Sequence, residues 1–216
     1  MKTQLVSFSL FVVVCFVLVL TGTASAGTVY EDGPINGQTD AWTINFGYIV
    51  SNTFTVATPN ATITGMSFGA WLFPGDTLTS VELSITSDEF GGTTYFDQVV
   101  NFTASNCFLN GFGYNVCEET GSFNGPNLAN GTYWMNLQNA VVPNGDPVYW
   151  DENSGIGCHS EGCPSLPSEN TVGTIPPESF TIYGDSSTGS TPEPWSLALF
   201  GSGAAAIAGF MRRKWW

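Results

Sequence analysis

Between Gly27 and Thr191 the chain contains no lysine and no arginine. Its four basic residues, Lys2, Arg212, Arg213 and Lys214, stand in the two terminal segments, while seventeen of its eighteen acids lie inside the cation-free span. No Lys or Arg ion pair can hold the central domain together, so packing, hydrogen bonds, disulfides and bound metal ions are what remain. Nucleic acid is not an expected partner, because neutralising phosphates requires basic side chains. Divalent cations and positively charged partners are the natural counter-charges. A solvated acidic surface that keeps the domain dispersed accounts for such charge without any ligand.

The two ends read as addresses. Lys2 precedes an apolar stretch, residues 5–20, interrupted only by Ser7 and Ser9, and Ala24-Ser25-Ala26 follows with small residues where a signal peptidase reads them. Cleavage after Ala26 leaves Gly27 as the mature N-terminus. An uncleaved anchor is the alternative, since the apolar run is long for a signal. A lipoprotein signal at Cys15 does not fit, because Val12-Val13-Val14 precede it where small residues are needed. The expected organisation is a signal peptide over 1–26, a secreted domain over 27–183, a polar linker over 184–191 and a terminal segment over 192–216.

That terminal segment has three parts in order: Pro192-Glu193-Pro194, an apolar stretch over 195–211, and Arg212-Arg213-Lys214. About 17 helical residues rise roughly 25 Å, a short span that works with bilayer thinning or snorkelling. The basic cluster is expected to stay cytoplasmic, and Gly201, Gly203, Ala204, Ala205 and Ala206 give a face small enough for close helix packing. In this order the segment resembles the PEP-CTERM sorting signal. The resemblance implies recognition by exosortase, an inner-membrane cysteine transpeptidase of Gram-negative bacteria that make exopolysaccharide. It implies a transient membrane anchor through the C-terminal helix, then delivery to the cell surface or extracellular matrix. It covers only residues 192–216, and two features depart from the pattern: Trp195 stands where a small residue usually follows, and Trp215-Trp216 extend past the basic cluster.

The middle is rich in Gly, Ser, Thr and Asn, with alternating apolar segments bounded by turn residues and no sustained helical period. Strands are predicted over 41–49, 53–57, 62–73, 78–86, 93–103, 111–116, 132–139, 148–151 and 179–183. Phe73-Pro74-Gly75-Asp76, Glu89-Phe90-Gly91-Gly92 and Pro143-Asn144-Gly145-Asp146 supply turns between them. The expected fold is all-β: an antiparallel β-sandwich, jelly-roll-like, flanked by an N-terminal signal helix and a C-terminal transmembrane helix. No fixed internal period supports a solenoid. Segments such as 41–46, 69–76 and 133–137 resemble an ectodomain that recurs among PEP-CTERM proteins, a likeness that speaks to fold and address and not to activity.

Four cysteines remain after export: Cys107, Cys117, Cys158 and Cys163. An even number in an exported chain reads as two disulfides with three pairings open. Local pairing, Cys107 with Cys117 and Cys158 with Cys163, is the favoured one. Zinc held by these thiols and His159, the only histidine, is the alternative. No nucleophile elbow accompanies a serine, and no basic side chain is present in the domain to steady an oxyanion, so catalytic residues are not assigned.

The best binding candidate is the stretch 147–155, and within it Trp150, Asp151, Glu152 and Asn153, where aromatics beside clustered carboxylate and amide oxygens could stack a sugar and hold calcium. The competing reading puts Trp150 in the core and begins a loop at Asp151. Asp76 and Asp146, each after a turn glycine, offer further oxygens. The leading expectation is a non-enzymatic surface or matrix protein associated with exopolysaccharide, handled by signal peptidase and exosortase. A calcium-dependent carbohydrate-binding module and a glycan-processing hydrolase built on a carboxylate pair are the alternatives.

Overall fold

The computed structural model describes residues 26–186. The expected signal and C-terminal helices therefore lie outside the described residues, as do Ala24, Pro192, Glu193, Pro194, Arg212, Arg213 and Lys214. Ala26 and Gly27 are both exposed, with Gly27 opening the first strand.

The described residues contain strands and no helix. In chain order they are β1 (Gly27–Glu31), β2 (Asp40–Thr43), β3 (Val50–Leu72), β4 (Ser80–Asp88), β5 (Gly91–Asn101), β6 (Thr103–Leu109), β7 (Asn115–Ser122), β8 (Asn127–Val141), β9 (Tyr149–Glu152), β10 (Ser168–Glu169), β11 (Gly173–Thr174) and β12 (Phe180–Ser186). Every pairing is antiparallel.

The organising element is β3, which the sequence suggests as two strands and which runs unbroken for 23 residues. Its first part pairs with β8, from Val50↔Leu137 to Val56↔Gly131. Its second part pairs with β7 on one side, from Gly65↔Ser122 to Leu72↔Asn115, and with β12 on the other. The β8 pairing shifts register between Val56 and Asn60 and runs on to Thr62↔Asn127, and β7 takes over from Gly65. Pro59 sits at that register shift, where its missing N–H and a bulge interrupt the ladder without ending the pairing with β8. The first part of β3 thus belongs with β8, β4 and β5, and the second with β7, β6, β12 and β1. Beyond the end of β12, β9 takes its place beside β3 at Ala70 and Trp71, and β2 pairs with β9.

The two halves face one another over one core, which makes the arrangement sandwich-like. Val81, Leu83 and Ile85 of β4 are buried while Glu82 and Ser84 between them are less so, the period-2 alternation of a half-buried strand. Val50, Phe54 and Val56 from the first part of β3 share the core with Met66, Phe68, Ala70 and Leu72 from the second. Aromatic contacts bridge the halves: Tyr30 meets Phe54 at 6.4 Å and Phe96 stacks on Phe123 at 4.7 Å.

Several predicted boundaries move for local reasons. The strand expected over 41–49 stops at Thr43, because Phe46 and Gly47 take positive φ in a turn closed by Tyr48 N–H to Asn45 O. The strand expected over 111–116 begins only at Asn115. The Asn110 carboxamide oxygen accepts the N–H groups of Phe112 and Tyr114, an Asx-type turn that outweighs the aromatic β-propensity of the segment. The last strand continues through Ser186 by pairing with Ala61 and Thr62, so residues 184–186 are sheet and not linker.

Candidate functional site

Residues 150–153 do not form one site, and strand alternation is the reason. Successive side chains of β9 point to opposite faces, so four adjacent residues cannot converge on one ion or one sugar. Trp150 is fully buried, edge-on to Phe68 at 5.9 Å and to Phe180 at 5.6 Å, and it donates its indole N–H to Ser179 O at 2.9 Å. It fills the core and is closed to a ligand. Of the two readings of this residue, the core one describes the molecule.

Asp151 points to the outer face and is equally buried. Its carboxylate accepts hydrogen bonds from the backbone N–H of Asn36 and of Gly37, both at 2.9 Å, from the Trp71 indole at 2.6 Å and from the Ser179 hydroxyl at 3.1 Å. Burial raises its pKa, and these donors pull it part of the way back. Asp151 thereby fastens the segment between β1 and β2 across the outside of the sheet. Asn153 works the same way: its amide N–H donates to Asp32 O, and its side-chain oxygen accepts Gly155 N–H.

What the outer face does present is an aromatic groove. Trp71, Tyr114 and Tyr149, with Asp40 and Ala41, line a cavity of about 110 Å³. Trp71 is nearly buried and forms the floor, and Tyr114 and Tyr149 are half-buried. The ring of Tyr114 lies 5.7 Å from Trp71 and 5.5 Å from Tyr149, and Phe112, 63% exposed, stacks on Trp71 at 5.5 Å. Burial and then the Tyr114 hydroxyl push the Tyr149 phenol up to about 12, so it stays protonated as a donor at neutral pH. The same turn that shortens the predicted 111–116 strand carries Phe112 and Tyr114 to Trp71. Of these residues, only Tyr149 lies within the candidate stretch visible in the sequence. Trp71 and Tyr114 come from distant segments, and only the pairing of β3 with β7 and β9 brings them together.

Glu152 belongs to a second arrangement. It pairs in register with Asp40 on β2 and forms an isolated antiparallel bridge with Glu178. Three carboxylates therefore stand as neighbours across three chain segments. Glu152 accepts the Ser154 hydroxyl at 2.9 Å and the Trp42 indole N–H at 3.3 Å. Glu178 is fully buried and neither of its oxygens has a hydrogen-bond partner. Burial first, then the charges of Glu152, Asp151, Asp40 and Asp32, raise its pKa well above the ordinary range. At the far end of β3, Asp76 accepts the Asn144 amide at 2.7 Å and faces Asp146; desolvation and then this neighbour raise the Asp146 pKa.

The cysteines form the two local disulfides, Cys107–Cys117 joining β6 to β7 and Cys158–Cys163 closing a loop. Two disulfides fit an oxidising compartment such as the cell exterior. Asp32, Cys158 and Cys163 bring ligand-type atoms within 4.8 Å of one another, but with both sulfurs joined there is no thiolate for zinc. His159 is exposed in that same loop. No protein-family model matches the chain, and no curated protein matches it.

Proposed function

We propose that this chain is an exported, non-enzymatic polysaccharide-binding protein of the cell surface or extracellular matrix, with the aromatic groove as its binding surface. The groove carries the reading: the half-exposed rings of Tyr114 and Tyr149 over the Trp71 indole, with the two tyrosine hydroxyls, match the apolar face and hydroxyl edge of a sugar ring. An acidic exterior without lysine or arginine suits neutral or cation-bridged glycans better than free anions. Strand order supports the finer fold reading, a jelly roll. One set runs β1-β12-β3-β7 and the other β3-β8-β4-β5, with β3 serving both. Lectin domains use this architecture, although fold by analogy carries less weight than the groove itself. The resemblance of residues 192–216 to a PEP-CTERM signal supports delivery through signal peptidase and exosortase.

The test is retention of the full-length chain on a glycan array that includes the host exopolysaccharide. Tyr114→Ala and Tyr149→Ala, each folded by circular dichroism, are expected to weaken binding at least tenfold, which is about 1.4 kcal/mol. Absence of retention on every glycan, or retention that both variants leave unchanged, overturns the reading. Sorting is tested separately: deletion of residues 192–216 should abolish surface delivery in a host with an exosortase, and unaltered delivery and processing count against it.

A further inference from the structure

We infer that Asp40, Glu152 and Glu178 form a binding site for a divalent cation, with calcium the ion that suits it. The inference starts from Glu178. A fully buried side chain with both carboxylate oxygens unpartnered is rare, because buried polar groups are almost always satisfied. Its bridge partner is Glu152, which is itself paired with Asp40, and like charges directly opposite one another across a sheet are destabilising. In most proteins a lysine or arginine would answer such a row, but none exists between residues 27 and 191.

Two neutralising agents remain, a proton and a metal ion. A proton removes the charge of Glu178 but supplies no partner for its second oxygen. It also does nothing for Glu152, which holds two donors and is 4% exposed. A cation answers all three carboxylates together. The donor set is oxygen only, the ligand chemistry of a hard ion, and calcium accepts the irregular geometry that magnesium does not. Three carboxylates, one or more of them bidentate, with water completing the shell, meet the six to eight oxygens that calcium takes.

Access and closure are also provided. Asp40 is exposed at the start of β2, and its Oδ1 accepts the backbone N–H of the next residue, Ala41, at 2.8 Å, leaving Oδ2 unengaged by that contact. The three carboxylates do not lie within 4.8 Å of one another, so an ion shared by all three requires exposed Asp40 to turn toward the two buried glutamates. Asp40 also lines the end of the aromatic groove, while its side chain shares a face with its register partner Glu152 and not with Ala41. The cation site itself does not rest on glycan binding.

Calcium chloride titrated calorimetrically into the EDTA-treated full-length chain reads the site directly, with magnesium chloride as comparator. One ion per chain is expected to bind in the range of extracellular calcium modules, about 0.1–1 mM, and magnesium more weakly. Saturating calcium should raise the melting temperature by about 3–5 °C. Terbium(III), bound in place of calcium, should show luminescence sensitised by Trp42, whose indole donates to Glu152. Glu178→Gln and Glu152→Gln, which keep side-chain size, are expected to lose at least tenfold in affinity and most of the terbium signal. Absence of saturable binding up to 10 mM overturns the site. So does binding that both variants retain in full, which would mark a diffuse acidic surface. Loss of glycan retention with calcium binding intact would strike the groove and leave this site standing.

Discussion

Trp71 donates its indole N–H to Oδ1 of Asp151 at 2.6 Å, which ties the floor of the aromatic groove to the carboxylate that fastens the β1–β2 segment over the sheet. One buried acid thus positions the groove and closes the outer face. Asp151→Asn keeps the size but turns one acceptor into a donor aimed at other donors. It should destabilise the chain by about 2–4 kcal/mol, read as a shift of the urea midpoint. A shift below about 0.5 kcal/mol would show that the four hydrogen bonds are replaceable.

Gly69 tests the same packing without touching a charge. A Cβ added there would lie 2.7 Å from Asp151 Cβ, 2.8 Å from Ile35 Cγ2 and 2.9 Å from Ser179 Oγ. These atoms belong to three separate segments, so no single rotamer change makes room. Gly69→Ala should cost about 1–3 kcal/mol as an overpacked site and weaken glycan retention through displacement of Trp71's partner. A melting curve that matches the unmodified chain would contradict this packing.

The Cys107–Cys117 bridge joins β6, whose residues are all exposed, to β7. Closing a loop of this length is worth about 2–3 kcal/mol in the chain-entropy account. The Cys107→Ser, Cys117→Ser double variant should therefore melt lower and expose β6 to limited proteolysis before the core strands. Equal proteolytic resistance of β6 with and without the bridge would show that pairing with β7 alone suffices.

The strands were legible wherever apolar residues alternate between turn residues, as in β4 and β8, because burial of one face imposes that period on the sequence. The fusion of two predicted strands into β3 is not legible: Pro59 and Asn60 look like a break, and only the pairing with β8 on both sides of a register shift keeps the strand continuous. The sequence also placed Trp150 and Asp151 side by side while leaving open which faced inward. The pairing of Trp150 with Ala70 on the core face settles that choice. Nothing local distinguishes Glu178 in the sequence. Its significance comes from the bridge to Glu152, a contact 26 residues away along the chain.

Glu119 gives the domain an inverted pH response. It pairs in register with Phe68, is fully buried without a hydrogen-bond partner, and burial pushes it up to about 7. An unfolded glutamate titrates near 4.3, so between about pH 4.3 and pH 7 the folded chain holds a proton that the unfolded chain has released. Stability contributed by this group is complete below that window, falls as pH rises through it, and is gone above about pH 7. The whole change amounts to about 3.5–4 kcal/mol, and the upward shifts of the buried Asp32 and Asp151 act in the same sense. Urea midpoints should therefore decline from pH 5 to pH 7.5, the reverse of ordinary acid denaturation. Glu119→Gln, a neutral group of the same size, should match the unmodified chain near pH 4.5 and exceed it at pH 8, so that the difference between the two chains opens across the window. Parallel profiles for the two would remove Glu119 as the source. Rising stability of the unmodified chain from pH 5 to pH 7.5 would show that its buried acids are ionised in the folded state.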